Sequence, residues 1–326
     1  MVVADIISFL GNQLFIYAAT KSIALDLGYE YRYRVIRPNW AFTKSGNVKA
    51  AGHDYRHDFD RAFHIDRSER IEELPSSIRN KWTWERIADT SFNEGVYKIS
   101  DNTNLSGHFL SPKYFEHRRH EVLKWFKFQD EYLQNSNDII ESIKHREKAT
   151  HVISIHMRYG VYRLYGLSLD PSYYRQAVNL IRTKIPNGNL SFILLSDQPK
   201  EAKALLRMDD IIVSKGDLFE DLCLMTLCDG HIISNSTYSW WGAWLADSGG
   251  IVIRPSIRPI SAEKLGPTDI FPAHWIAVEA RREELTFRKL MSRAICEYQD
   301  GRVSNTAMKI KELAKNMLRR CIIKNS

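Results

Sequence analysis

The stretch HVISIHMRYGVYRLYGLSLDPSYYRQAVNLIRTKIPNGNLSFILL, residues 151–195, carries the pattern that decides the fold. It predicts a strand at His151–Ile155, a capped helix from Pro171 to about Lys184, and a second strand at Leu190–Leu195. Three more short apolar runs follow downstream, and helical segments separate them. Short apolar strands that alternate with helices predict a parallel sheet covered on both faces, which is the α/β class.

The first 35 residues predict a strand, a turn, a helix and a strand. The apolar run Val2–Ile7 precedes a turn at Leu10–Gln13, and helix-forming residues continue over Leu14–Leu27 before the strand Tyr29–Val35. Such a turn places backbone N–H groups at a helix N-terminus, where an anion can bind, although any βαβ unit has one. The charged stretch at 145–148 separates this region from the regular pattern, so we expect a domain boundary near residue 150.

Length and composition exclude several classes of protein. The chain has 326 residues, of which 44% are hydrophobic and 26% charged, as in a soluble protein of two ordinary domains and unlike a disordered chain. Four scattered cysteines do not make a disulfide scaffold and favour a reducing cytosol. No stretch of about 18 apolar residues predicts a membrane-spanning helix.

The net charge of +7 belongs to the C-terminal segment. Residues 281–326 contain 12 Lys and Arg against five Asp and Glu, so the first 280 residues are neutral and give no sign of nucleic-acid binding. From Ile310 to Cys321, apolar residues recur at helical spacing with basic residues between them. Such a basic amphipathic helix either lies on an anionic membrane or packs its apolar stripe on the body of the protein.

Polar side chains follow the predicted strands, at the edge of a parallel sheet where ligands bind. They are His156-Met157-Arg158, Ser196-Asp197, Ser214-Lys215-Gly216 and Asn235-Ser236-Thr237-Tyr238-Ser239. A guanidinium, an ammonium, a carboxylate and several hydroxyls at one edge suit a nucleotide diphosphate. The hydroxyl and amide residues are equally good helix caps, whereas Arg158 cannot cap a helix N-terminus and is therefore the more informative residue.

Two further clusters have competing interpretations. Trp240, Trp241 and Trp244 either form a surface that stacks on a sugar or pack in the core, and the helical spacing favours the core for Trp241 and Trp244. The pair Asp58 and Asp60 has the spacing of a metal site, but its charged surroundings favour a solvated face.

Several segments form an ordered set of motifs over about residues 1–255. They are LGNQLFIYA at 10–18, GHFLSPKYF at 107–115, His156-Met157-Arg158, SLDPSYY at 168–174, Ser196-Asp197, and DLCLMTLC at 221–228 leading into NSTYSWWGAWL at 235–245. This set resembles the bacterial alpha-1,2-fucosyltransferase family, which also includes the blood-group H enzymes. The last run is the most specific of the motifs.

The resemblance implies a GT-B type fold, in which two Rossmann-like domains face each other across a cleft. Residues 1–150 would form the acceptor-side domain, 151–280 the donor domain and 281–326 the basic helical tail. It also implies a metal-independent, inverting transfer of fucose from GDP-fucose to the 2-hydroxyl of a galactose in a surface polysaccharide. The acceptor would be an oligosaccharide or a lipid-linked glycan, and the protein would be cytoplasmic or peripheral on the cytoplasmic face of the inner membrane.

The resemblance also implies roles for individual residues. Arg158 would be the catalytic residue, because it would grip the pyrophosphate and stabilise the charge that develops on the leaving GDP. The remaining donor residues would be His156 and Asp197 near the nucleoside, Ser236, Thr237 and Ser239 near the phosphates, and Ser196 and Asn235 beside them. Gly11, Asn12 and Gln13 would lie at the cleft.

The chain departs from the family pattern at positions beside the expected reaction centre. Tyr159 and Val161 replace the second Arg and the Asp of His-x-Arg-Arg-Gly-Asp, Gln198 replaces an acid, and Ser8-Phe9 replaces Gly-Gly. Two alternatives follow from these departures. The chain either uses another sugar nucleotide or acceptor, or it is a non-catalytic nucleotide- or glycan-binding relative.

Overall fold

A computed structural model describes residues 1–36, 59–83, 91–164, 166–246, 249–257 and 269–284, which form two parallel β-sheets with helices around them. Strands β1 (Val2–Ile6), β2 (Tyr31–Val35), β3 (Asn80–Thr83) and β4 (Thr103–Ser106) form the first sheet in the order β2-β1-β4-β3. Every neighbouring pair in it is parallel. The strand predicted at the N-terminus is thus confirmed as a central strand, with all five of its residues buried.

The second sheet has six parallel strands. They are β5 (His151–Met157), β6 (Leu190–Ser196), β7 (Ile212–Val213), β8 (Gly230–Ile232), β9 (Ile251–Pro255) and β10 (Ile276–Val278), in the order β10-β9-β8-β5-β6-β7. The five predicted strands and the α/β class are confirmed, whereas β10 was not predicted. The predicted helix after Asp170 is also confirmed as α5 (Pro171–Lys184), and the Asp170 side chain accepts a hydrogen bond from Ser172 N.

The turn predicted at Leu10–Gln13 is wrong, because helix α1 (Leu10–Asp26) already begins at Leu10. The chain reverses earlier, at Ser8, whose φ is +72°, and Phe9 is the extended N-cap residue. Gly and Asn are poor helix formers, so the local sequence favoured a turn. Packing against the second half of the protein overrides that preference.

Seven further helices complete the described fold: α2 (Arg119–Trp125), α3 (Asp130–Glu147), α4 (Gly160–Leu164), α5, α6 (Pro199–Leu206), α7 (Leu218–Thr226) and α8 (Thr237–Trp244). Helix α3 packs against α7 and against strands β5 and β6 of the second sheet, although it precedes residue 150. A domain division near that residue stays a prediction.

Helix α8 joins the two halves of the protein. It packs on α1, and one apolar core contains side chains from β1, α1, α7 and α8. Because α1 follows β1 and α8 follows β8, their N-termini meet where the carboxyl edges of the two sheets face each other. This is the arrangement of two facing α/β layers that a GT-B type fold requires.

The three tryptophans of α8 all belong to this core. Trp241 and Trp244 are buried, as predicted, and Trp240 is buried completely. The Trp240 indole N–H donates to Ile270 O at 2.8 Å, and its ring lies 4.5 Å from the ring of Phe15. A sugar-stacking role for Trp240 is therefore wrong.

The prediction that Asp60 lies on a solvated face is wrong, because this residue is buried. It is 1% exposed, accepts a hydrogen bond from the Tyr33 hydroxyl at 2.8 Å and pairs with Arg70. Asp58 and the predicted tail helix lie outside the described residues. In the described ranges, no helix combines the length and the apolar character that crossing a bilayer requires.

The burial of His231 in β8 should make the free energy of unfolding depend on pH. Its ring is 1% exposed, and burial lowers the pKa of His231 from 6.5 to about 4. Below pH 6.5 the His231 side chain binds a proton in the unfolded chain but not in the folded chain. The free energy of unfolding therefore falls by about 1.4 kcal/mol per pH unit until the pH reaches the pKa of His231 in the folded state. Urea unfolding from pH 7 to pH 4.5 should show a shallower decline for His231→Gln than for the wild type. The exposed control His145→Gln should follow the wild type, and three equal slopes would contradict the prediction.

Candidate functional site

The register of two central strands brings Arg158 and Asp197 together. Met157 and Ser196 are paired across β5 and β6, and Arg158 and Asp197 are the residues that follow them at the carboxyl edge. Arg158 Nη1 lies 2.9 Å from Asp197 Oδ2, and the two side chains are 13% and 10% exposed. The predicted catalytic cation is thus held in an ion pair with another predicted site residue.

Asp197 also fixes the turn that follows β5. Its Oδ1 accepts a hydrogen bond from Tyr159 N at 2.8 Å, whereas Oδ2 receives no well-aligned hydrogen bond from the described residues. A Cβ atom at Gly160 would lie 2.5 Å from Asp197 Oδ2, so the backbone passes directly over the carboxylate. Asp197 therefore contacts both the guanidinium of Arg158 and the backbone at the start of α4.

Tyr162 in α4 lies on another side of Arg158. The Arg158 Cζ is 5.4 Å from the centre of the Tyr162 ring, which is the distance of a cation–π contact. Burial is the main cause that raises the pKa of Tyr162, and the charge of Arg158 and the side chain of Ser236 oppose that rise. Tyr162 is therefore near both the guanidinium and the residue that caps α8.

The N-terminus of α8 supplies the polar groups of this edge. Ser236 is the N-cap and accepts from Tyr238 N at 3.3 Å. Asn235 is 1% exposed; its Nδ2 donates to Leu167 O at 3.0 Å, and its buried Oδ1 has no hydrogen-bond partner among the described residues. A helix N-terminus carries a partial positive charge, which adds to that of Arg158 and favours an anion here.

Three other predicted donor residues lie at or beneath this edge and make hydrogen bonds within the protein. His156 is 4% exposed, and its Nδ1 lies 3.0 Å from Ser234 Oγ. Ser239 is fully buried and donates to Ser236 O at 3.2 Å. Ser196 Oγ accepts from Gln198 N at 3.1 Å, just before α6.

The first sheet reaches the same place through the start of α1. Asn12 Oδ1 accepts a hydrogen bond from Thr237 Oγ1 at 2.8 Å, and Gly11 O accepts one from the Trp241 indole at 2.9 Å. A Cβ atom at Gly11 would lie only 2.4 Å from Tyr238 N, so the two helix N-termini are in direct contact. Gln13 turns back and donates through Nε2 to Ser8 O at 2.9 Å.

The structure thus brings together Arg158, Asp197, Asn235, Ser236 and Thr237, with Gly11 and Asn12 against α8. Ser196 lies at the neighbouring strand end, His156 and Ser239 lie beneath, and Gln13 contacts Ser8. These positions do not establish a role for any of them. They define a cationic edge where two facing sheets meet.

Two residues of this region were not singled out from the sequence. For Tyr162 the sequence offers only a weak indication, which is that a tyrosine stands four residues after Arg158. Asp221 is the other: its Oδ1 lies 2.5 Å from Ser214 Oγ, and burial raises the pKa of Asp221 to about 7. Its negative charge also contributes to raising the pKa of Tyr238, so Asp221 belongs to the same edge.

A guanidinium and a helix N-terminus that converge in this way can hold a doubly charged anion such as a diphosphate. The guanidinium has five N–H donors, so it can keep the contact with Asp197 and still present donors to a ligand. In the described part of the chain, no three His, Cys, Asp or Glu side chains cluster in a way that would hold a metal ion.

Comparisons with known proteins find enzymes that transfer sugars. A family model described as Glycosyl transferase family 11 matches residues 70–279. Alpha-1,2-colitosyltransferase of Escherichia coli is 26% identical over 305 residues, which cover 86% of this chain and 99% of that protein. Galactoside alpha-(1,2)-fucosyltransferase 2 of Oryctolagus cuniculus is 23% identical over 229 residues, which cover 64% of this chain and 63% of that protein.

Solved structures with a similar course of the chain include fucosyltransferase NodZ from Bradyrhizobium. It covers 74% of this chain and 91% of its own, with 12% sequence identity and a TM-score of 0.43.

Proposed function

Because the chain belongs to glycosyl transferase family 11, we propose that this glycosyltransferase moves fucose from GDP-fucose to the 2-hydroxyl of a galactose. The observation that carries the proposal is the position of Arg158, which follows β5, while the N-terminus of α8 follows the neighbouring strand β8, so that both lie at the same carboxyl edge. That position suits the diphosphate of a nucleotide sugar, since both groups are fixed before the ligand arrives.

In the proposed reaction the acceptor oxygen attacks the anomeric carbon from the face opposite the diphosphate. The bond between that carbon and the phosphate oxygen breaks, its electron pair leaves with GDP, and the proton of the acceptor hydroxyl passes to solvent water. The configuration at the sugar carbon is inverted. Arg158 and the α8 N-terminus stabilise the leaving diphosphate more as its charge grows, which lowers the barrier.

The donor residues have two kinds of role in this proposal. Arg158, Asn235, Ser236 and Thr237 contact GDP-fucose, and Arg158 acts in catalysis. Asp197, His156, Ser196 and Ser239 hold those groups in place, as their hydrogen bonds and burial indicate. Gly11, Asn12 and Gln13 form the acceptor side of the cleft, and no step requires a metal ion.

A second candidate donor is a nucleotide of colitose. The E. coli relative that aligns over nearly its whole length is named a colitosyltransferase. Colitose lacks the 3-hydroxyl of fucose, and Val161 offers no carboxylate to accept from a hydroxyl where the family pattern has Asp. Loss of such an acceptor favours a donor with fewer hydroxyls.

A donor screen tests these proposals together. GDP at a hundredfold excess over its dissociation constant should stabilise the fold by about 2.7 kcal/mol, which thermal unfolding detects. GDP release from GDP-fucose and from GDP-colitose is then measured with a galactoside acceptor and excess chelator. Release from either sugar identifies the donor. Stabilisation by GDP with no release from any donor would favour a non-catalytic binder, and stabilisation only by UDP or dTDP would refute the GDP assignment.

The proposal also covers the cellular location of the enzyme, its acceptor and its contact with a membrane. We place the enzyme in the cytoplasm, where it acts on a lipid-linked or oligosaccharide glycan of a surface polysaccharide, with the basic segment after residue 284 resting on an anionic membrane. Residues 281–284 belong to the body of the protein, because Arg282 forms a bridge with Leu169 and Glu283 pairs with Arg163. The concentration of basic residues after residue 284 supports this placement. Flotation with anionic vesicles, compared between the full chain and a chain that ends at Glu284, tests the membrane contact, because that truncation keeps the pairing of residues 281–283 with the body.

A further inference from the structure

We propose that Phe9 is the aromatic platform on which the acceptor sugar stacks, so that this residue determines how the acceptor binds. The inference rests on the proposed function, because it assigns a subsite to the glycan acceptor of that reaction. Phe9 follows β1 at the carboxyl edge of the first sheet, two residues before the contact of Gly11 with α8. It therefore lies beside the groups assigned to the donor.

Phe9 differs from the other aromatic side chains of this junction in its exposure. The large rings of Phe15, Phe115, Trp240 and Trp241 are buried. Phe9 is 38% exposed, and among the large apolar side chains exposed in the described ranges it is the aromatic one. One face of a pyranose ring carries C–H groups, and an accessible aromatic ring is the side chain that binds such a face.

The backbone at this corner is held in a fixed and costly conformation. Ser8 is a non-glycine residue with φ +72°, which persists only where the surroundings enforce it. Gln13 Nε2 donates to Ser8 O at 2.9 Å, and Asn12 Nδ2 donates to Ser8 Oγ at 2.9 Å. Because Asn12 also accepts from Thr237, the corner that carries Phe9 is tied to the helix that carries the donor groups.

An unpaired acceptor lies next to this corner. Gln13 is 6% exposed, and its Oε1 is buried without a hydrogen-bond partner among the described residues. This oxygen belongs to the same amide group whose nitrogen binds Ser8 O, so it lies behind the corner that carries Phe9. Burying it without a partner costs free energy, which is a second sign that the surrounding packing enforces this corner.

The test compares Phe9→Ala, Phe9→Leu and Phe9→Tyr in steady-state transfer, with donor and acceptor varied separately. Loss of the ring should raise the acceptor KM about tenfold or more in Phe9→Ala, since stacking is lost, and by a smaller factor in Phe9→Leu. Phe9→Tyr should keep the wild-type acceptor KM. The donor KM and the stabilisation by GDP should not change in any variant. An unchanged acceptor KM in Phe9→Ala, or an equal loss in the alanine and tyrosine variants, would overturn the assignment.

A binding measurement separates this inference from the proposed function. Saturation-transfer NMR with methyl β-galactoside, in the presence of GDP, reports contact with the sugar without any turnover. We expect a signal with the wild type and Phe9→Tyr that is lost with Phe9→Ala. If the wild type gives no signal while GDP still stabilises it, the stacking platform is refuted and the donor site is not. If GDP does not bind either, the proposed function itself fails.

Discussion

Arg158→Ala should lower kcat by about a thousandfold or more, because a fixed guanidinium that stabilises leaving phosphate charge contributes about that factor in comparable phosphate sites. The same substitution has a structural cost. It removes the ion-pair partner of the Asp197 carboxylate, whose side chain is 10% exposed, and leaves that carboxylate with its hydrogen bond from Tyr159 N. Removing one partner of a largely buried pair costs about 3 kcal/mol, so the single variant should also unfold more easily.

The double variant Arg158→Ala/Asp197→Asn separates the two effects. Replacing the carboxylate with a neutral amide removes the unpaired charge, so most of the lost stability should return in urea unfolding. Turnover should not return, because the group that contacts the diphosphate is still missing. A stable double variant that transfers sugar at the wild-type rate would show that the pair is only structural, and it would refute the catalytic role.

Asp197→Asn alone is the matched control. It keeps an oxygen that can accept from Tyr159 N, and it leaves the guanidinium of Arg158 in place. We expect a loss of about tenfold in kcat/KM, since Arg158 becomes less well positioned but still bears its charge. GDP release in a stopped assay and the urea midpoint, measured for all three variants, complete the comparison.

The second sheet could be predicted from the sequence because each of its five recognised strands is an apolar run between helical segments. β10 could not be, because its three residues follow a stretch with several prolines and no helical pattern, so it lacks the alternation with a helix that revealed even the two-residue strand β7. The start of α1 was misread for a different reason. Gly11 and Asn12 favour a turn locally, but they are placed there by a contact with α8, more than 220 residues further along the chain.

The candidate site, like the fold, could be predicted from the sequence only in part. Arg158 could be found from its place after a strand, and so could the polar residues around α8. Its pairing with Asp197 depends on the register of β5 and β6, which the sequence does not reveal. The positions of Tyr162 and of the buried Asp221 depend on packing between helices and loops. Sequence patterns place a residue at an edge, whereas only three-dimensional contacts determine which groups remain available to a ligand.

Gly11→Ala gives the sharpest test of how the two halves meet, because two physical effects predict opposite signs. Alanine is the better helix former by up to about 1 kcal/mol, so an isolated α1 would become more stable. In the protein, however, the new Cβ would lie 2.4 Å from Tyr238 N and 2.5 Å from the carbonyl carbon of Thr237. These are backbone atoms of α8, and they cannot move aside as a flexible side chain can.

We therefore expect Gly11→Ala to lower the free energy of unfolding by about 3 kcal/mol, at the upper end of the cost of overpacking. Turnover should fall about a hundredfold, because α1 must move away from the helix that presents the donor groups. Asn12→Ala removes the hydrogen bond to Thr237 without adding volume and should cost only about 1 kcal/mol. Adding Thr237→Ala to Gly11→Ala should not restore stability, since the closest atoms belong to the backbone. If Gly11→Ala instead raised the urea midpoint and kept turnover, helix propensity would outweigh the contact, and the two N-termini would not be in close contact.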